Sequence, residues 1–292
     1  FARLDLSLQT LVENALLEKP EASLIELIEE RLSGFWASQK PELKLRWQVI
    51  SSAARVLLQA QTIRQSFKTD QTAAAIFKRY TAAESPWCLL DTAQRHLERD
   101  AHNYDTTDDS TLKLIAAAQR AYAETAHQLA IHFVRVYERA GLALDDVIQQ
   151  VEIFHDFVEP ALAEAPVAYF LVDAFRFEMA RELLAQLPPE WQSHLTPALA
   201  TPPTITEVGM AALLPEAERG AIIAPAGPGK LGVLLGQSPL LKGRPERVKW
   251  LKDKAPAPVV VTELNKIAPL KDNHLRADIK NARLVVVTAS DE

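Results

Sequence analysis

Asp173 is the first polar residue after a continuous apolar run, Val167 to Val172, and an amphipathic helical pattern follows it directly in APVAYFLVDAFRFEMARELLAQL. In open α/β sheets ligands gather outside the carboxyl ends of the strands, so an acid at this position is well set to hold a cation. Roughly thirty residues on, TPPTITEVGMAALLP sets two hydroxyls, Thr204 and Thr206, just before an apolar helical pattern. Free backbone N–H groups and the helix dipole favour an anion at such a point. An acid for a metal and a hydroxyl at an anion site point to phosphoryl or sulfuryl transfer.

The same two segments carry a family resemblance. VDAFRFEMARELL followed by PPTITEVGMAALLP resembles the PglZ domain of bacterial phage-defence systems of the BREX type, a branch of the alkaline phosphatase superfamily. The resemblance spans roughly Ala165 to Glu292. It implies that Asp173 binds a divalent metal, Zn²⁺ or Mn²⁺, and that a threonine at the next helix start attacks phosphorus. Thr206, the second threonine of the Pro-Thr-x-Thr pattern, is the first choice of nucleophile, and Thr204 is the reserve. The bland alternatives are a helix N-cap for Thr206 and a turn-forming aspartate for Asp173. Arg176 and Glu178 also match the pattern: Arg176 either contacts a phosphate or pairs with Glu178 or Glu182 on the helix surface. The last strand of complete members ends in an Asp-His pair. Asp291 matches the aspartate, whereas Glu292 stands where the histidine is expected. Two ions need about six protein ligands, so the chain is expected to bind metal weakly or not at all, through missing sequence or a degenerate site.

The elements that must position these residues follow from composition. Residues 1–165 contain two of the nine glycines and four of the eighteen prolines. That predicts a helical first part and a loop-rich second part, with a domain boundary at Pro166. Charge breaks at the same place: 17 Lys+Arg against 24 Asp+Glu before Pro166, and 15 against 14 from there on. In residues 1–165, Ser23 and Glu26 have capping-box spacing for a helix ending near Gly34. Helical patterns cover Leu43 to Phe67 and Thr72 to Ala83, a helix opens near Pro86, Asp109 or Ser110 caps a run to Ala140, and Leu144 to Ala163 completes a bundle. Trp36, Trp47 and Trp87 are expected in its packing. In residues 166–292, strand and helix patterns alternate, which predicts an α/β domain with a mostly parallel sheet. Strands are expected at Val167 to Val172, Leu195 to Ala200, Ala221 to Ala226, around Val260 and in RLVVVTASDE. Helices are expected at Arg176 to Leu187, from Thr206, in GRPERVKWLKDK and in LKDNHLRADIKNA. Val285 to Val287 lack polar alternation, so that strand belongs at the sheet centre.

Other signals narrow the function. The single cysteine, Cys88, cannot form an internal disulfide, no apolar run approaches a membrane span, and no signal-peptide pattern is present, so the cytoplasm is the expected compartment. The chain opens on Phe1 and stops at Glu292, directly after a strand-like run, and reads as a piece of a longer polypeptide. His127 and His132 are five apart, which is not the spacing of a helical zinc site. His155 is expected to be solvated or hydrogen-bonded near Glu159, and neither His194 nor His274 follows a convincing strand end. GPGK at Gly227 to Lys230 lacks the upstream glycine and the hydroxyl residue of a phosphate loop. Lys242, Arg244, Arg247, Lys249, Lys252 and Lys254 form a positive cluster that faces either solvent or a nucleic-acid backbone. Two functions remain. The first is a metal-dependent phosphatase or phosphodiesterase, a nuclease among the options, working with other BREX-type subunits. The second is a non-catalytic, phosphatase-like scaffold whose acidic helical part docks such subunits.

Overall fold

The computed structural model describes residues 2–267 and 277–289. Seven helices come first: α1 (Ala2–Glu18), α2 (Ala22–Leu32), α3 (Phe35–Gln39), α4 (Pro41–Ser66), α5 (Ala73–Tyr80), α6 (Leu89–Asn103) and α7 (Asp109–Arg139). There follow α8 (Glu159–Glu164), β1 (Val167–Val172), α9 (Phe177–Gln186), α10 (Thr206–Ala212), β2 (Ala221–Gly227), β3 (Lys230–Leu235), α11 (Arg244–Lys254), β4 (Val259–Glu263), α12 (Leu264–Ile267), α13 (Ala277–Lys280) and β5 (Leu284–Ala289). The chain forms two compact units, Phe1–Asp145 with Phe177–Trp191, and Asp146–Arg176 with Gln192–Glu292. No described helix is long and apolar enough to cross a membrane.

In the helical unit α4 is the spine. Its Trp47, Val49, Ile50, Ala53, Val56 and Ile63 are buried in a single apolar cluster with residues of α1, α2, α6 and α7. Small Ser51, Ser52, Ala53 and Ala54 are buried on the same helix and let neighbouring helices approach closely. A buried ion pair crosses this core: Arg46 of α4 donates from Nε (3.0 Å) and Nη2 (2.7 Å) to the two oxygens of Glu13 in α1. Thr111 of α7 adds a 2.7 Å bond to Glu13. Removing one member would leave a desolvated charge, which typically costs about 3–5 kcal/mol. In α9, Glu182 is engaged by Arg95 and His96 of α6, and Glu178 is fully buried. Burial pushes the Glu182 carboxyl up, but the hydrogen bond from Arg95 and the charges of His96 and Arg95 outweigh it and hold the group below its ordinary range.

The second unit holds a three-stranded parallel sheet in the order β1-β5-β4 and an antiparallel β2-β3 hairpin. Val167 pairs in register with Leu284, and Val259 pairs with the same residue from the other side. Leu284 to Val287 are all buried, as an unalternating apolar run at a sheet centre must be. Phe154, Val158, Leu162, Val208, Leu214 and Leu235 share the core cluster with this sheet. The Tyr169 hydroxyl reaches Leu213 O (3.2 Å) and the Trp250 indole reaches Pro215 O (2.9 Å), so the polar tips of the half-buried Tyr169 and the buried Trp250 are both satisfied.

Several sequence expectations need correction. Ser23 lies inside α2; the N-cap is Glu21, which makes no side-chain cap bond. The cap of α7 is Asp108, whose carboxylate accepts from the N–H groups of Ser110 and Thr111. Leu144 to Ala163 is not one bundle helix: it is broken into a 3₁₀ turn at Gln150–Glu152, a π-helical stretch at Phe154–Val158, and α8, and from Asp146 on it lies in the second unit. Leu195 to Ala200 forms only an isolated bridge, Leu199 to Gln149, and Pro197 within it cannot donate to a ladder. GPGK proves to be the hairpin turn, with Gly229 in the left-handed region at φ +66°. Trp47 and Trp87 are core residues, whereas Trp36 is 36% exposed. The helix expected in LKDNHLRADIKNA is described only at Ala277–Lys280; the rest, with His274, lies outside the described residues.

Candidate active site

A cavity of about 660 Å³ opens at the carboxyl ends of the three parallel strands. Leu171 and Asp173 line it from β1 and the residue after it, Val261 and Glu263 from β4, and Val286 and Thr288 from β5. Thr206 and Met210 come from α10, and Arg244 and Arg247 from α11. This is where the strand-end rule puts a ligand.

Asp173 and Thr206 meet there. Thr206 Oγ1 donates to Asp173 Oδ2 at 3.0 Å, and Asp173 Oδ1 accepts from the backbone N–H of Ala174 at 2.9 Å. The backbone of β1 continues its pairing into the site, since the Asp173 N–H reaches Ala289 O at 3.1 Å. The chain then turns sharply through Ala174 at φ +51°. A residue with a Cβ is strained in this left-handed region, and such strain collects where a side chain must be aimed. Thr206 is the first residue of α10 rather than its cap; Ile205 occupies the N-cap position. Its hydroxyl is therefore directed to the carboxylate rather than back to its own helix.

Gln150 positions the segment that bears Thr206. Its Oε1 accepts from the Thr201 N–H at 3.0 Å and its Nε2 donates to Gly209 O at 3.2 Å, so one amide ties both flanks of the threonine motif. No local sequence pattern marks Gln150, because its partners lie 51 and 59 residues away.

The basic cluster separates on folding. Arg244, Arg247, Val248 and Leu251 lie at i, i+3, i+4 and i+7 of α11 and face the cavity. Lys254 sits over the Trp250 ring and pairs with Glu216, while Lys242, Lys249 and Lys252 are exposed. Arg244 donates to Glu263 Oε1 (2.9 Å) and to Thr288 Oγ1 (3.2 Å). Hydrogen bonds from Lys266 and Arg244 hold the Glu263 carboxyl below its usual range. Burial pulls the Arg247 guanidinium below its ordinary value, partly offset by Glu207, Glu246 and Asp173.

The other expected site residues fall elsewhere. Thr204 is exposed on the loop before α10 and Arg176 is exposed; neither lines the cavity. Asp291 lies outside the described residues. His132 packs edge-on against Phe67 and approaches Gln71 O (3.3 Å), and His155 pairs with Glu159 (3.0 Å). Among the described residues no group of three or more His, Cys, Asp or Glu side chains could hold a metal ion. The carboxylate of Asp173 and the hydroxyl of Thr206 are hard oxygen donors of the kind that fit a divalent cation, and they are two of the several such an ion requires.

No curated protein and no solved structure matches the chain. Residues 153–290 match the model of the BREX system PglZ alkaline phosphatase-like domain, which takes in the strand end, the threonine motif and all three parallel strands. Alkaline phosphatase-like enzymes are generally metal-dependent. With its cavity at the strand ends and its carboxylate and threonine in contact there, the stretch 153–290 of this chain is similar to the PglZ alkaline phosphatase-like domain of BREX systems.

Proposed function

We propose that this protein is a phosphohydrolase of the PglZ type that acts on phosphodiesters, nucleic acid among them, and that Thr206 is its nucleophile. The observation that carries the reading is the 3.0 Å hydrogen bond from Thr206 to Asp173 on the wall of a cavity that also holds two arginines. In the attack, Thr206 Oγ1 forms a bond to phosphorus and passes its proton to Asp173 Oδ2. The ester bond to the leaving oxygen breaks, and that oxygen takes a proton from solvent. Water then cleaves the phosphothreonine, its oxygen going to phosphorus and a proton to Thr206 Oγ1, and Asp173 returns the proton it took to solvent, so atoms and charge balance over the cycle. Asp173, with Thr206 beside it, would hold the Zn²⁺ or Mn²⁺ ion of the superfamily, and Asp291 would join it. When bound, such an ion lowers the pKa of an attacking hydroxyl and stabilises charge on the phosphoryl oxygens. Thr204 is the reserve nucleophile and Arg176 a further phosphate contact. Residues 1–165 act as the helical interaction domain that docks other BREX subunits, and residues 166–292 as the phosphatase-like domain.

The test is hydrolysis of an aryl phosphodiester by the full-length protein with added Zn²⁺ or Mn²⁺, beside Asp173→Ala and Thr206→Ala. Turnover that requires metal and is lost in both variants is the expected result. A folded wild type with no turnover and no bound metal would replace this reading with that of a docking scaffold.

A further inference from the structure

Arg247 has no role in the attack as described, yet it is the most conspicuous polar group of the cavity. Its Nη1 is buried and has no hydrogen-bond partner among the described residues. Buried guanidinium nitrogens are normally satisfied, so a missing acceptor here is informative. One turn earlier on α11, Arg244 is fixed in place by Glu263 and Thr288 at the ends of β4 and β5. Two guanidinium groups thus line the same cavity as Asp173 and Thr206, and one of them has a donor to spare.

We propose that Arg247, with Arg244 beside it, is the anion clamp of this site: it holds the non-bridging oxygens of a phosphate ester whose organic group is apolar or aromatic. The planar fork of a guanidinium matches two oxygens of a tetrahedral phosphoryl group, as an ammonium cannot. The cations on this wall offset the charge that Asp173 would otherwise set against an anionic substrate. The second half of the specificity lies in the wall around the arginines, where Met210, Leu214, Val248 and Leu251 offer apolar surface for the ester's organic part. The inference rests on the phosphohydrolase reading for the place of the reacting phosphorus, and it adds which residues bind the ester and what kind of ester fits.

The test is calorimetric titration of the full-length protein with phenylphosphonate, a non-hydrolysable aryl analogue, in buffer containing EDTA, alongside diester turnover with added metal. Binding to wild type is expected to weaken at least tenfold in Arg247→Met and several-fold in Arg247→Lys, which keeps the charge and loses the fork. Lys249→Met, on the exposed side of α11, should bind as wild type does. The conservative Arg247→Lys keeps the experiment decisive if Arg247→Met does not fold. Equal binding by wild type and Arg247→Lys, or no binding by the folded wild type, would overturn the clamp. Binding that depends on Arg247 in a protein without turnover would uphold the clamp and sink the hydrolytic reading. Turnover that is indifferent to Arg247 would do the reverse.

Discussion

The two oxygens of the Asp173 carboxylate are used separately, since Oδ1 closes the turn onto the Ala174 N–H and Oδ2 receives the Thr206 hydroxyl. Sequence alone favoured Asp173 and Thr206 because an acid at a strand end and a hydroxyl at a helix start are local signals. Arg247 was visible only as one of six basic residues, because which of them faces a cavity depends on the rotation of α11 in the folded unit. The strain at Ala174 has a direct consequence. Ala174→Gly should raise the stability of the protein by up to about 1 kcal/mol, read from chemical denaturation, since glycine adopts φ +51° without a Cβ clash. No gain, or a loss, would show that the turn is not strained. At Thr206, replacement by alanine should lower turnover by about 10³-fold or more, while serine, which keeps a hydroxyl, should retain a measurable fraction.

The elements explain why some of the fold was legible and some was not. β1 and α11 start and stop where their apolar runs and flanking Pro and Gly residues indicate, and β5 is central because every residue from Leu284 to Val287 is apolar. The 3₁₀ and π-helical segments within residues 150–158 could not be foreseen, because their distortion serves tertiary contacts: Gln150 turns aside to bridge Thr201 and Gly209. Gln150→Ala should therefore lower kcat by about tenfold with KM little changed, as expected for a residue that orients the nucleophile. A larger effect on KM than on kcat would assign Gln150 to substrate binding. In the helical unit, the α1-α4-α7 junction depends on Glu13 and Arg46, and Glu13→Ala should cost about 3–5 kcal/mol in denaturant unfolding. The α7 cap titrates. Hydrogen bonds from Ser110 and Thr111, with the Arg46 charge, hold Asp108 below its ordinary 3.8. A carboxyl whose folded pKa is depressed contributes its stability fully above the unfolded pKa and loses it as pH falls through the folded value. Asp108→Ala should thus cost about 1 kcal/mol at pH 7, with the difference from wild type shrinking as pH falls below about 4. A constant difference down to about pH 2 would show that the carboxylate charge is not what caps α7.

At the scale of the whole molecule, composition separated a helical part from an α/β part because glycine and proline mark loops between short strands and are scarce in a helical bundle. What composition does not reveal is that Phe177–Trp191, which follows β1 in sequence, is part of the helical unit, where Glu182 meets Arg95 and His96. That assignment is made by long-range pairing, and no window of local sequence contains it. The proposed function gives docking to the helical part and chemistry to the cavity, and that proposed chemistry rests on Thr206. Its most direct test is a brief reaction of the full-length protein with bis(p-nitrophenyl) phosphate and Mn²⁺, quenched in acid and followed by peptide mass spectrometry. A p-nitrophenyl phosphoryl adduct on Thr206, absent from Thr206→Ala, is the expected result. Turnover with no adduct on that residue, or undiminished turnover in Thr206→Ala, would contradict the assignment of Thr206 as nucleophile.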